Sequence, residues 1–167
     1  MPKPLDKWLI ETLLSVSTNY NHYKTSSGEK LIFVRRDGFV SRQPNTDESI
    51  ARLKECTKCH FNAPTAMLVC HNKDESWVRK YDGALSSPVD AVIVTTHMML
   101  ACQNEGVGSC WVMHFNPAAM RETFNIPDNI EPVALLVMGY PSDDAKPLDL
   151  HFKSRPIDET VFYDCFR

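Results

Sequence analysis

The chain has little surplus charge of either sign: 18 Lys and Arg stand against 21 Asp and Glu, a net charge of -3 over 167 residues. Nucleic acid is recognised largely through a basic surface, so this balance carries no such footprint. No long apolar run opens the chain either. MPKPLDKWLIE has no apolar signal core and no small-residue cleavage site, so no secretory signal is read there. The six cysteines are then expected to be reduced thiols of a cytoplasmic protein. Internal repeats, low-complexity tracts and linkers are also lacking, which leaves a single domain over 1–167. Hydrophobic residues at 43% supply a core, and charged residues at 23% are ordinary for a soluble protein.

The most informative stretch runs from Ser86 to Phe115, SSPVDAVIVTTHMMLACQNEGVGSCWVMHF. Ser87 can cap a helix, Pro88 suits its first position, Asp90 meets its positive end and Gly106 can terminate it. Val89, Val92, Ile93, Thr96, Met99 and Leu100 form one stripe, and Ala91, Val94, Met98, Ala101 and Cys102 make most other faces apolar as well. Such a helix is expected to be buried all round. Its roughly 18 to 20 residues approach membrane-spanning length, but Asp90, Thr95, Thr96, His97 and Gln103 would be costly in lipid. A core or a subunit interface is therefore predicted. Because 167 residues are few to wrap such a helix completely, the interface of a homodimer is favoured.

Around it, helices and strands interleave. Leu5, Trp8, Leu9, Leu13 and Val16 recur at helical spacing, and the polar stretch from Asn19 to Lys30 leads into a short strand, Leu31 to Val34. Asn45 or Thr46 can cap a helix in which Ile50, Leu53 and Cys56 share a face. Pro64 opens the strand TAMLVC. Asn116 and Pro117 start a short helix to about Phe124, and Pro132 precedes the strand VALLVMGY. From Ser142 the chain is polar and punctuated by proline, which suggests an arm laid over a surface.

Cys56-Thr57-Lys58-Cys59-His60 matches the C-x-x-C-H pattern of covalent haem attachment. That chemistry belongs to an export compartment, and no export signal is read. Zinc would need two more ligands, for which only Cys70 and His71 lie near in sequence, without a second C-x-x-C. A redox C-x-x-C opens a helix, whereas this one closes a helix. No metal or haem is expected. His97 reads as a core histidine. Arg35, Arg36 and Arg42, like Lys153 and Arg155, are basic enough to hold a phosphate, although a solvated surface explains them as simply.

In order and at matching spacing, HFNAPTAMLVC, WVRKYDG, VDAVIVTTHMMLACQNEGVGSCWV, FNIPDNIEPVALLVMGYPSDDAKP and RPIDETVFY resemble the nitroreductase family of flavin-dependent oxidoreductases, particularly its short bacterial members. The resemblance covers roughly Leu53 to Tyr163. It implies an α+β fold with helices around a mostly antiparallel central sheet, an entwined homodimer built on the long helix, and FMN at the dimer interface. It further implies that Gly108, Ser109, Cys110, Trp111, Val112 and Met113 lie beside the flavin ring, mainly through backbone groups, and that Lys153 and Arg155 reach the phosphate.

NAD(P)H would be the electron donor and a nitroaromatic, a quinone or a similar small molecule the acceptor; no catalytic side chain is required, because the flavin is the reagent. Two departures from the family pattern stand out. No Arg-x-Ser-x-Arg precedes the first strand, and Met113 replaces a glycine. They define the alternative: a degenerate dimer of the same fold, with weak or no flavin binding, acting as a ligand-binding or scaffold protein.

Overall fold

The computed structural model of the protein describes Ile32–Val34 and residues 47–166. The helix predicted near the N-terminus, the polar stretch 19–30, Arg35, Arg36, Arg42 and the cap candidates Asn45 and Thr46 lie outside the described residues.

Among the described residues, four strands form one sheet: β1 (Ile32–Val34), β2 (Thr65–Asn72), β3 (Gly108–Val112) and β4 (Ile130–Gly139), in the order β1-β2-β4-β3. β1 runs parallel to β2, while β2 with β4 and β3 with β4 are antiparallel, giving the mostly antiparallel sheet expected. Three α-helices of the described residues cover it: α1 (Asp47–Cys56), α2 (Ser87–Asn104) and α3 (Pro117–Phe124). The fold is α+β.

The period-two geometry of a strand decides which layer each side chain joins. On one face Met67 and Val69 of β2, with Ala134, Leu136 and Met138 of β4, pack against Ala91, Val94, Met98 and Cys102 of α2. On the other, Ala66, Leu68 and Cys70 with Leu135 and Val137 meet Leu53 and Cys56 of α1 and Met120 and Phe124 of α3. β2 and β4 are thus apolar on both sides because both sides are covered, which is why their sequences read as unbroken apolar runs. β4 begins at Ile130, two residues before the Pro132 that was expected to precede it. The register slips between Val69 and Cys70, where Pro132 stands opposite Cys70. A proline, having no N–H to offer a ladder, is tolerated at such a bulge.

The long helix differs from expectation in two respects. Its N-cap is Ser86, not Ser87, and the Ser86 side chain caps no backbone N–H. Ser87 lies one residue inside the helix, and its hydroxyl is 2.8 Å from Nδ1 of His71 on β2. His71 Nε2 lies 3.3 Å from Glu131 of β4, so with the ring proton on Nε2 the imidazole links the start of α2 to two strands. At the other end Gly106 adopts φ +68, and Val107 N–H donates to Cys102 C=O at 2.9 Å, a left-handed stop of the expected kind.

The second difference is burial. Ser87, Ala91, Val94, Thr95, Met98 and Cys102 face inward, but Val89, Val92, Ile93 and Leu100 face outward, Leu100 at 63% exposure. The described residues therefore cover one side of a helix that is apolar on both. After β4 the arm 141–166 is exposed at every position, with short helical turns at Asp149–Phe152 and Ile157–Glu159. No helix among the described residues is long and apolar enough to cross a membrane.

Candidate functional site: the β3 edge and its cleft

β3 is the edge strand at its end of the sheet, with only β4 beside it among the described strands. Its side chains alternate between the two layers. Trp111 packs against the α2 layer, and Ser109 reaches the buried Cys102 thiol of that helix. Burial pushes that thiol up to about 11, with the Ser109 hydroxyl pulling the other way. Val112 is buried in the opposite layer. Cys110, on the same side as Val112, is exposed. Burial and the neighbouring Cys59 hold its thiol above the ordinary range. Met113 follows the strand, exposed, its sulfur 3.0 Å from the Trp111 indole Nε1–H.

Where β3 begins, Gly108 stands opposite Gly139 of β4. Both positions are tight for a side chain: a Cβ on Gly108 would come 3.2 Å from the Gly139 carbonyl oxygen, and one on Gly139 would come 3.0 Å from the ring of Pro64. This close approach shapes a cleft of about 280 Å³ between Gly108, Ser109 and Cys110, the 61–64 loop and Tyr140. At its rim Phe61 and Asn62 both hold left-handed backbone, with φ of 50 and 53, a costly conformation for two successive non-glycine residues.

Of the residues expected to hold a cofactor, Gly108, Ser109 and Cys110 line this cleft; Trp111, Val112 and Met113 continue the strand beyond it. Lys153 and Arg155 lie on the exposed arm and do not line it. Phe61, Asn62 and Tyr140 were not anticipated. The apolar spacing that reveals helices and strands is blind to a rim made by a turn and by a strand end.

Comparison with known proteins decides the family. A model described as the nitroreductase family matches residues 13–140. A solved nitroreductase family protein from Clostridium difficile 630 is 33% identical, with a TM-score of 0.78 over 98% of this chain and 90% of that one. The chain belongs to the nitroreductase family. Two more distant structures share the fold: an FMN-dependent nitroreductase from Clostridium difficile R20291, at 18% identity and TM-score 0.65 over 99% of this chain and 92% of that one, and a Bacteroides thetaiotaomicron protein named as an NADH dehydrogenase/NAD(P)H nitroreductase, at 16% identity and TM-score 0.68 over 99% and 89%. Membership of the nitroreductase family places the chain among oxidoreductases.

Proposed function

We propose that the chain, folding as one domain over 1–167, forms a cytoplasmic homodimer that holds FMN and passes electrons from NAD(P)H to a nitroaromatic, quinone or related small acceptor. The observation that carries this reading is β3: a glycine-started edge strand with only β4 beside it among the described strands, whose first residues Gly108, Ser109 and Cys110 line a cleft against which a flat ring can lie. The ring end of the cofactor fits the residues present. Its phosphate end does not fit the cleft, whose lining holds no Lys or Arg. At about 280 Å³ the cleft also falls just short of the usual range for a small-molecule site.

A second copy resolves both shortfalls. The outward stripe Val89, Val92, Ile93 and Leu100 needs an apolar cover, and the exposed arm needs a surface. Packing the stripes together and exchanging the arms would bring Lys153 and Arg155 to the cofactor's phosphate while removing water from the ring. The flavin, when bound, supplies the hydride and electron chemistry. The protein's part is to hold it, orient it and screen it, and no side chain need act as nucleophile, acid or base.

The test is a Lys153→Ala/Arg155→Ala variant titrated with FMN and with riboflavin beside the unmodified protein. Two charge-assisted contacts at about 1.5–3 kcal/mol each weaken FMN binding by roughly two to four orders of magnitude, while riboflavin, having no phosphate, binds as before. Equal losses for both ligands would assign the arm to dimer formation alone. Failure of the unmodified protein to bind either flavin would favour the degenerate scaffold reading, for which Met113 in place of glycine is the structural argument.

A further inference from the structure

The described methionines stand in very different surroundings. Met67, Met98 and Met120 are 0% exposed and Met138 1%, all inside the two layers, and Met99 is half-buried against the α2 layer. Met113 is the exposed one, at 63%, one residue past the end of β3. Its sulfur is already engaged, because the Trp111 indole Nε1–H donates to it at 3.0 Å. Trp111 in turn packs against the α2 layer, so the thioether sits between solvent and a ring seated on the core. A thioether is a weak acceptor, and the indole has one hydrogen to place. Met113 lies outside the lining of the cleft, and nothing that follows uses the cleft.

A thioether reacts with peroxide without first losing a proton, so access to its sulfur decides how fast it is oxidised. The buried methionines must wait for the fold to open. We propose that Met113 is a site of reversible oxidation, taking one oxygen atom from hydrogen peroxide, and that the Trp111 indole holds the new oxygen. The sulfur lone pair attacks one peroxide oxygen, the O–O bond breaks, and the other oxygen leaves as hydroxide. That hydroxide takes the proton left on the transferred oxygen and becomes water. The sulfur is oxidised by two electrons to the sulfoxide, and the peroxide is reduced by two. A sulfoxide oxygen is a far better acceptor than a thioether, so the indole N–H turns to it, and the sulfur stands back from the ring by about the length of the new S–O bond. The end of the edge strand thereby exchanges an apolar group for a polar one and passes the change to Trp111. No bound flavin is required.

The test treats the purified chain with hydrogen peroxide and locates the added oxygen by peptide mass spectrometry. Indole N–H resonances, assigned with Trp8→Phe and Trp77→Phe variants, report the hydrogen bond. The expected result is one oxygen on Met113 before any on Met67, Met98, Met99, Met120 or Met138, with the Trp111 Nε1–H proton moving downfield as its acceptor changes from sulfur to oxygen. The two methionine sulfoxide reductases, one for each epimer, should reverse both changes. Met113→Leu, a swap of nearly equal volume at an exposed position, is expected to fold as before and to lose both signals. Oxidation of a buried methionine no later than Met113 would overturn the proposal. So would a Trp111 resonance that stays in place once Met113 is oxidised, or a sulfoxide that the reductases leave untouched.

Discussion

Leu136 and Leu150 are the same residue in opposite surroundings. Leu136, in the middle of β4, is 0% exposed between α2 and the strands either side; Leu150, on the arm, is 73% exposed, and Leu148, Phe152 and Ile157 near it are as bare. Burying a leucine is worth about 1.5–3 kcal/mol relative to leaving it in water, so a chain that keeps several such residues uncovered is leaving stabilisation unused. Among the described residues the sheet is covered on both faces within one copy; the arm and the outer side of α2 are exposed. Two apolar regions without a cover in the same molecule are more economically explained by one missing surface than by two.

The comparison is broken most forcefully from the core side. Leu136→Ala is expected to cost about 2–5 kcal/mol in urea unfolding, since the rigid sheet cannot collapse into the space left behind. A loss below about 1 kcal/mol would mean the layers are loosely packed and the contrast with the arm is one of degree.

A second core effect depends on pH. Burial raises the Cys102 thiol from 9.0 to about 11 in the folded chain. The native state therefore keeps a proton that the unfolded state has released, and the stability held below pH 9 is lost as pH rises toward 11. The loss is on the order of 2 kcal/mol at one pKa unit per 1.4 kcal/mol. Cys70, raised still further by burial, adds to the same alkaline slope. Cys102→Ala should flatten that slope between pH 9 and 11 without abolishing it, as read from unfolding midpoints across the range. An unchanged slope would place the alkaline loss elsewhere.

The same contrast explains what the sequence made legible. Spacing located α2, α3 and β2 to within about two residues, because caps such as Asn116 and stops such as Gly106 act locally and the apolar runs report burial directly. The β3 strand, Gly108 to Val112, begins two residues after that glycine stop. The Ser86 cap was missed by one residue, since Pro88 is tolerated at either of the first two helical positions and two serines precede it. Which face of α2 turns inward was hidden, because a helix apolar on both sides has no polar stripe to orient it. The cleft rim was hidden for a different reason: Phe61, Asn62 and Tyr140 come together only when the β2 entry and the β4 exit are paired in space. The exposure of the arm was hinted at by its prolines and polar residues.

Leu150→Ala is the smallest expected effect and the one that sharpens the comparison most. If the arm touches little of its own chain, removing a leucine from it changes the stability of dilute protein by no more than about 0.5 kcal/mol, as for other surface substitutions. Against a second copy the same leucine has a surface to cover, so its loss is felt as weaker association, and the deficit grows with protein concentration because a partner stabilises the folded state by mass action. Leu136→Ala behaves in the opposite way, costing the same at every concentration at which the folded unit persists. Unfolding the two variants across a hundredfold dilution series therefore separates the regions. A loss of 2–5 kcal/mol for Leu150→Ala that ignored concentration would show the arm folded back on its own sheet, and the outer side of α2 would then have to find its cover without the help of the arm.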